Sequence, residues 1–280
     1  MKGITRYVIG IALLLAGGSA IAQINESDTA RFQMRISLAG NYQNGNVEVA
    51  TFRSKADLLY APVQNIVFKS QNVSLYQAFY GNKADNDVFS RNYLYFQPRN
   101  KIYPFAIAYV SANFRRKIEL RYFAGAGATW QIWNTPAHVF KVSASAVYEA
   151  TRFNSTVYNF SEYNGADKIA LWRGTAYLGG WSYLFGRRLR LYYDAYWQPA
   201  FNNSRNYRSQ FDIGVDFPVW KGFSFNVLYT YMHENVVAET IRKDDRILTF
   251  GLAYQIKHHN TSTAPATSNP AHRPVPSKIR

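Results

Sequence analysis

Apolar and polar side chains alternate with a period of two from residue 32 to residue 256, in segments of roughly 10 to 14 residues, and almost nothing repeats every 3.6 residues. Successive side chains of a strand point to opposite faces, so this pattern specifies β-strands with one apolar and one polar face. In the first segment Phe32, Met34, Ile36, Leu38 and Tyr42 oppose Gln33, Arg35, Ser37 and Asn41. The second sets Phe52, Ala56, Leu58 and Tyr60 against Arg53, Lys55 and Asp57. Leu120, Tyr122, Ala124, Ala126, Trp130 and Ile132 oppose Glu119, Arg121, Gly125, Gly127, Thr129 and Gln131. Phe140, Val142, Ala144, Ala146 and Tyr148 oppose Lys141, Ser143, Ser145 and Glu149, and Leu191, Tyr193 and Trp197 oppose Arg190, Asp194 and Gln198. The closing segments place Asp212, Asp216, Asn226, Thr230, Glu234, Thr249 and Gln255 opposite Phe211, Ile213, Val215, Phe217, Phe225, Val227, Tyr229, Leu248, Phe250, Leu252 and Tyr254. Segments 65–79, 88–97 and 105–114 alternate less cleanly, and the pattern does not fix their registers.

Asn44-Gly45-Asn46 is a hairpin signal, since these residue types tolerate positive φ. Counting the segments between such breaks gives about twelve strands, an even number as single-chain barrels require. Every second connection is expected to be short, at 62–64, 99–103, 134–137, 185–187 and 221–222. The intervening ones are expected to be longer and polar, at 80–87, 153–167, 199–206 and 236–245, with 44–46 and 115–117 as short exceptions.

Strands this long exceed the five or six residues typical of soluble sheets. Aromatic residues make up 17% of the chain, and Tyr42, Tyr60, Trp130, Trp133, Trp197, Trp220, Phe223 and Tyr231 fall near strand ends, where interfacial girdles sit. The expected fold is therefore all-β, an antiparallel up-and-down transmembrane β-barrel of about 12 strands with its apolar face outward. A mean hydropathy of −0.28 and the lack of a long apolar run beyond the N-terminus exclude a bundle of transmembrane helices.

Lys2 and Arg6, the apolar stretch 8–15 and Ala20-Ile21-Ala22 have the order of an export signal, so residues 1–22 are expected to be a signal peptide cleaved before Gln23. Residues 23–31 are read as a short periplasmic N-terminal segment, 32–256 as the outer-membrane barrel, and 257–280 as a disordered basic periplasmic tail. That tail is either an inert extension or a tether reaching peptidoglycan or a periplasmic partner. With no cysteine, the chain has neither a disulfide framework nor a lipoprotein anchor.

A formal net charge of +15 permits nucleic acid, anionic lipid or simple solubility as its explanation. The inward set reads as Arg35, Arg53, Lys55, Arg121, Lys141, Arg173 and Arg190 against Asp57, Glu119, Glu149, Asp194, Asp212, Asp216 and Glu234. These cancel, which favours a lumen bridged by ion pairs and a narrow or self-plugged pore of weak ion selectivity. The excess then lies at the rims and tail. Arg115, Arg116 and Lys117 form a rim run that is either solvated or within reach of lipopolysaccharide phosphates. Nucleic acid is disfavoured, because the basic residues do not gather on one face.

No catalytic, metal or cofactor set emerges. His138, His233, His258, His259 and His272 have no partners at ligand spacing within the barrel, and His233 lies on the opposite strand face from Glu234. Gly125 and Gly127 are mid-strand with no following helix, so they serve geometry and not phosphate binding. The expected function is a passive narrow pore or envelope-stress structural protein, its partners being outer-membrane lipid and the barrel assembly machinery. The alternatives are a lipid-acting enzyme resting on His233, or a recognition and adhesion barrel working through loop 153–167. In that loop Tyr158, Phe160 and Tyr163 would either be exposed or pack over the mouth.

Ser37-Leu38-Ala39-Gly40-Asn41 running into Asn44-Gly45-Asn46-Val47, the Arg91-Asn92-Tyr93 strand, and Arg121-Tyr122-Phe123-Ala124-Gly125-Ala126-Gly127 carry a resemblance to a bacterial family. It is the family typified by the salt-induced outer-membrane protein, a domain of unknown function. The resemblance spans residues 32–256, with the Arg-x-x-x-Gly-x-Gly strand its most specific part. It implies an outer-membrane β-barrel and no reaction. One departure concerns the end: barrels usually finish on an aromatic residue, whereas a tail follows Ile256 here. Either assembly reads an internal strand, or the last strand lies elsewhere.

Overall fold

The computed structural model describes residues 24–45 and 47–258. The expected signal peptide and most of the expected tail lie outside the described residues. Twelve strands form one closed antiparallel barrel in which each strand pairs with its sequence neighbours and β1 pairs with β12. They are β1 (Phe32–Gln43), β2 (Val49–Val63), β3 (Ile66–Phe79), β4 (Asn82–Phe96), β5 (Ile102–Asn113) and β6 (Ile118–Asn134), then β7 (His138–Phe153), β8 (Lys168–Leu184), β9 (Leu189–Pro199), β10 (Tyr207–Trp220), β11 (Phe223–Glu234) and β12 (Asp244–His258). The only described helical turn is Ser161–Tyr163. The last strand runs past Ile256 to His258, and Ile256 pairs with Met34.

Burial is inverted relative to a soluble protein. Gln33, Arg35, Asp57, Lys141, Glu149, Arg173, Asp216 and Gln255 are buried, while Leu38, Phe52, Trp130, Trp172, Phe250 and Leu252 are exposed. The alternation therefore sends the polar face into the lumen and the apolar face outward. Lumenal aliphatic and aromatic groups collect in patches, notably Leu59, Val67, Tyr95, Tyr103 and Phe105 beside Ile24. A Cβ on Gly127 would meet the Ala144 carbonyl oxygen and the Phe105 ring. The glycine lets β6 approach β7 closely and lets that ring lie across the strand.

Two features depart from the simple pattern. The connection expected at 80–87 is a tight turn at Tyr80-Gly81, and Asn82 already begins β4. Both turn residues have positive φ, 47° and 72°, as a type I′ hairpin requires. Glu119 was expected in the lumen but is exposed, near Arg152 at 3.9 Å on the outer surface. The register of β6 against β7 shifts between Ile118 and Leu120, and this bulge turns Glu119 outward while Arg121 stays inside.

Candidate functional site

The lumen holds the charged chemistry of the molecule. One end, where β1 begins and the even-numbered strands finish, has the short turns; the other carries residues 154–167, 200–206 and 235–243. Of the expected lumenal charges, all except Glu119 face inward or line the interior cavities.

At the loop end, side chains from distant strands meet. Glu234 of β11 accepts from Arg121 of β6 and, at 3.0 Å, from Arg116 of the β5–β6 turn. Arg116 also reaches Asp245 at 2.5 Å. Glu149 of β7 joins Arg173 at 3.1 Å and Arg208 at 2.5 Å. Burial opposes the charge of the Arg116 guanidinium, but Glu234 and Asp245 outweigh it and raise its pKa. Arg116 is therefore not a rim group available to phosphate, as the sequence run suggested: two carboxylates at the mouth draw it inside. Arg115 remains partly exposed and pairs with Asp85 and Asp245 at 3.2 and 2.8 Å, and Lys117 donates to Thr240 Oγ1 at 3.2 Å. Loop 154–167 folds down over this end. Tyr158 is buried with Phe153, Ile169 and Val236, and Phe160 and Tyr163 pack against that cluster. Burial pushes the Tyr158 hydroxyl up to about 12.

At the turn end the lumen is filled by a segment that is not part of the wall. Residues 24–27 are buried inside it. Lys141 of β7 donates to Asn25 Oδ1 at 2.7 Å, to Glu26 Oε1 at 2.9 Å and to Ser27 Oγ at 3.1 Å. Tyr103 of β5 donates to the same Glu26 oxygen at 2.9 Å, and Lys69 of β3 pairs with Glu26 Oε2 at 3.4 Å. Burial pushes the Glu26 carboxyl up, yet Lys141 and Lys69 overcome this and hold it well below the usual carboxylate range. Asp28 behaves alike: burial raises it, but Lys257 at 2.5 Å and backbone donors outweigh this and hold it below its ordinary value. Beside this segment, Arg35 at 2.8 Å and Arg190 both engage Asp216, which also accepts from Asn226 at 2.7 Å.

Between these two ends lies a cavity enclosing about 1480 Å³, part of it open to solvent. Arg91 of β4 lies 5.6 Å from the Phe89 ring, 5.7 Å from Tyr109 and 5.6 Å from Tyr196. Tyr196 belongs to β9, on the far wall of the twelve-strand ring, so Arg91 reaches across the lumen. Its contacts are cation–π in character. Asp194 and Asp212 sit opposite each other on β9 and β10; Asp194 accepts from Tyr177, and Asp212 from Gln210 at 2.8 Å. Lys69, Arg91, Arg116 and Arg208 were missed as lumenal charges. The first two lie on strands whose alternation is blurred, and the other two sit at strand or turn ends.

The remaining candidates hold little chemistry. His233 Nδ1 lies 2.9 Å from Asp244 Oδ1, and Tyr207 stacks on the imidazole at 5.3 Å. Its Nε2 has no hydrogen-bond partner, so no hydroxyl nucleophile is poised on it. Among the described residues no group of three or more His, Asp or Glu could hold a metal ion.

Residues 36–256 match the family described as "Protein of unknown function, DUF481". No curated protein matches the chain. Among solved structures, the NanC porin is 8% identical and superposes with a TM-score of 0.49, covering 80% of this chain and 100% of that one. An outer membrane channel from Pseudomonas putida F1 is 12% identical with a TM-score of 0.45, over 86% of this chain and 99% of that one. The translocator domain of autotransporter NalP from Neisseria meningitidis is 12% identical with a TM-score of 0.41, over 90% and 95%.

Proposed function

The chain belongs to the DUF481 family, and from that premise we propose that it is an outer-membrane β-barrel acting as a narrow, self-plugged pore. The observation that carries this reading is the segment 24–27 held inside the barrel by Lys141, Tyr103 and Lys69. The outward apolar face supports a bilayer setting, since an exposed band of this kind in water would drive aggregation. In this reading residues 1–22 are removed on export and the new N-terminus threads the lumen from the periplasm. Closed barrel topology leaves no backbone edge for lipid except where pairing stops. The partners are outer-membrane lipid, the barrel assembly machinery, lipopolysaccharide at Arg115 and Lys117, and peptidoglycan through the basic tail. The companion reading is an envelope-stress structural protein without catalytic chemistry.

The test is planar-bilayer conductance, beside liposome swelling with graded sugars, for the intact mature chain and for a variant lacking residues 24–30. The plug reading expects small, infrequent currents from the intact chain and larger, steady ones from the variant. Equal conductance in the two would refute it.

A further inference from the structure

Pairing between β1 and β12 stops short of the ends of both strands. β1 and β12 are in register from Phe32↔His258 to Ala39↔Gly251, and there the ladder stops. Beyond it, Gly40–Gln43 continue to pair with β2, from Gly40↔Phe52 to Gln43↔Val49. Asp244–Phe250 continue to pair with β11. The two strands thus fork toward the loop end, leaving two facing rows of backbone groups without a ladder partner. The last closed row depends on a glycine, because a Cβ on Gly251 would meet the Leu38 carbonyl oxygen at 2.2 Å.

The root of the fork is apolar on its outer face. Leu38, Phe52, Leu248 and Phe250 flank it on the outer face at 50%, 53%, 56% and 53% exposure. Backbone groups left unpaired at this depth are costly, so a fork there calls for an occupant. Beside it is a second lumenal cavity of about 760 Å³, part of it open to solvent, whose wall combines Val73, Leu75 and Ile247 with Arg53, Arg116, Arg121 and Arg208 against Asp87 and Glu234. Arg53 is the cross-strand partner of Ala39, at the root of the fork. Its Nη1 is buried without a hydrogen-bond partner, and Asp87 on the wall of the same cavity is the carboxylate that feels its charge. Arg116 and Glu234, paired with each other, form the loop end of this cavity, and the N-terminal segment occupies the opposite end of the lumen.

We infer that the β1–β12 fork is a lateral opening that binds a long-chain carboxylate, its head on Arg53 and its acyl chain passing between the strands into the bilayer. The inference rests on the membrane reading above. The free Nη1 of the guanidinium donates a charge-assisted hydrogen bond to a carboxylate, and the aliphatic part of the lining accepts the first methylenes.

The chain has no cysteine, so single labels are clean. Bimane is attached to Thr249→Cys, which faces the lumen beside the fork, and separately to Leu248→Cys, which faces outward, in phosphatidylcholine vesicles with brominated acyl chains. Both labels are expected to be quenched. If Leu248 escapes quenching, the membrane reading fails and takes this inference with it. If Leu248 is quenched and Thr249 is not, the fork is sealed and only the lateral opening falls. In unbrominated vesicles, doxyl-stearate should quench the Thr249 label, with Arg53→Met weakening that titration about tenfold and Arg53→Lys largely preserving it. Equal titrations for wild type and Arg53→Met would overturn the assignment of the head group.

Discussion

The two ends of the lumen are closed by different means. At the loop end, wall meets wall: Arg121 of β6 and Arg116 beside it converge on Glu234 of β11, and Glu149 of β7 takes Arg173 and Arg208. At the turn end, wall meets a tether: Glu26 sits on a segment outside the sheet and is shared by Lys141, Lys69 and Tyr103. Groups of the first kind cannot separate without distorting the barrel, whereas the second kind can disengage with the ring intact. A similar inventory of buried charges thus yields a structural brace at one end and a removable stopper at the other.

The largest effect that would sharpen this contrast is at the brace. Glu234→Gln leaves Arg121 and Arg116 without their shared carboxylate, and is expected to destabilise the barrel by about 3–5 kcal/mol, as removal of one partner from a buried pair does. Urea unfolding in detergent or vesicles measures it, and a loss below about 1 kcal/mol would break the distinction. Glu26→Gln, by contrast, is expected to leave barrel unfolding nearly unchanged while raising conductance severalfold. If its stability loss matched that of Glu234→Gln, the tether would be a brace too.

Acid should act on the stopper in the same direction. Glu26 and Asp28 have pKa values lowered from their ordinary 4.5 and 3.8, so their contribution to seating is complete above those values, weakens as pH falls below them and is gone only once pH has passed the lowered values of the seated segment. Conductance is expected to rise as pH drops from about 5 toward 3, and the rise should be much reduced in Glu26→Gln. A flat profile for the intact chain would count against a carboxylate-held plug. A smaller effect lies midway. Arg91→Lys keeps the charge but loses planar stacking on Tyr109 and Tyr196, at a cost of about 0.5–1 kcal/mol, and should alter single-channel conductance without changing the frequency of opening.

How much of this was legible in the residues varies by element. The period-two run through Phe32–Gln43 announced both a strand and its lumenal side, and Gln33 and Arg35 are buried while Leu38 is exposed. Tyr80-Gly81 hid a hairpin, because a tyrosine with positive φ is not an expected turn residue and the polar run after it reads as loop. Glu119 was misplaced because one bulge residue shifts the alternation, and a bulge leaves no clear mark in composition. Arg116 was read as a rim charge because its run of three cations gives no hint of Glu234, 118 residues away.

The sequence by itself determined the strands, their approximate number and the face that most charges of the cleanly alternating strands take, since these follow from a two-residue period that is local along the chain. Tertiary structure alone decided which charges meet. Arg35 and Asp216 are 181 residues apart, and closing the ring brings them within 2.8 Å. It also decided that the N-terminal segment enters the lumen and that β1 and β12 part before their ends, because both depend on the barrel's closure and stagger and not on any local pattern.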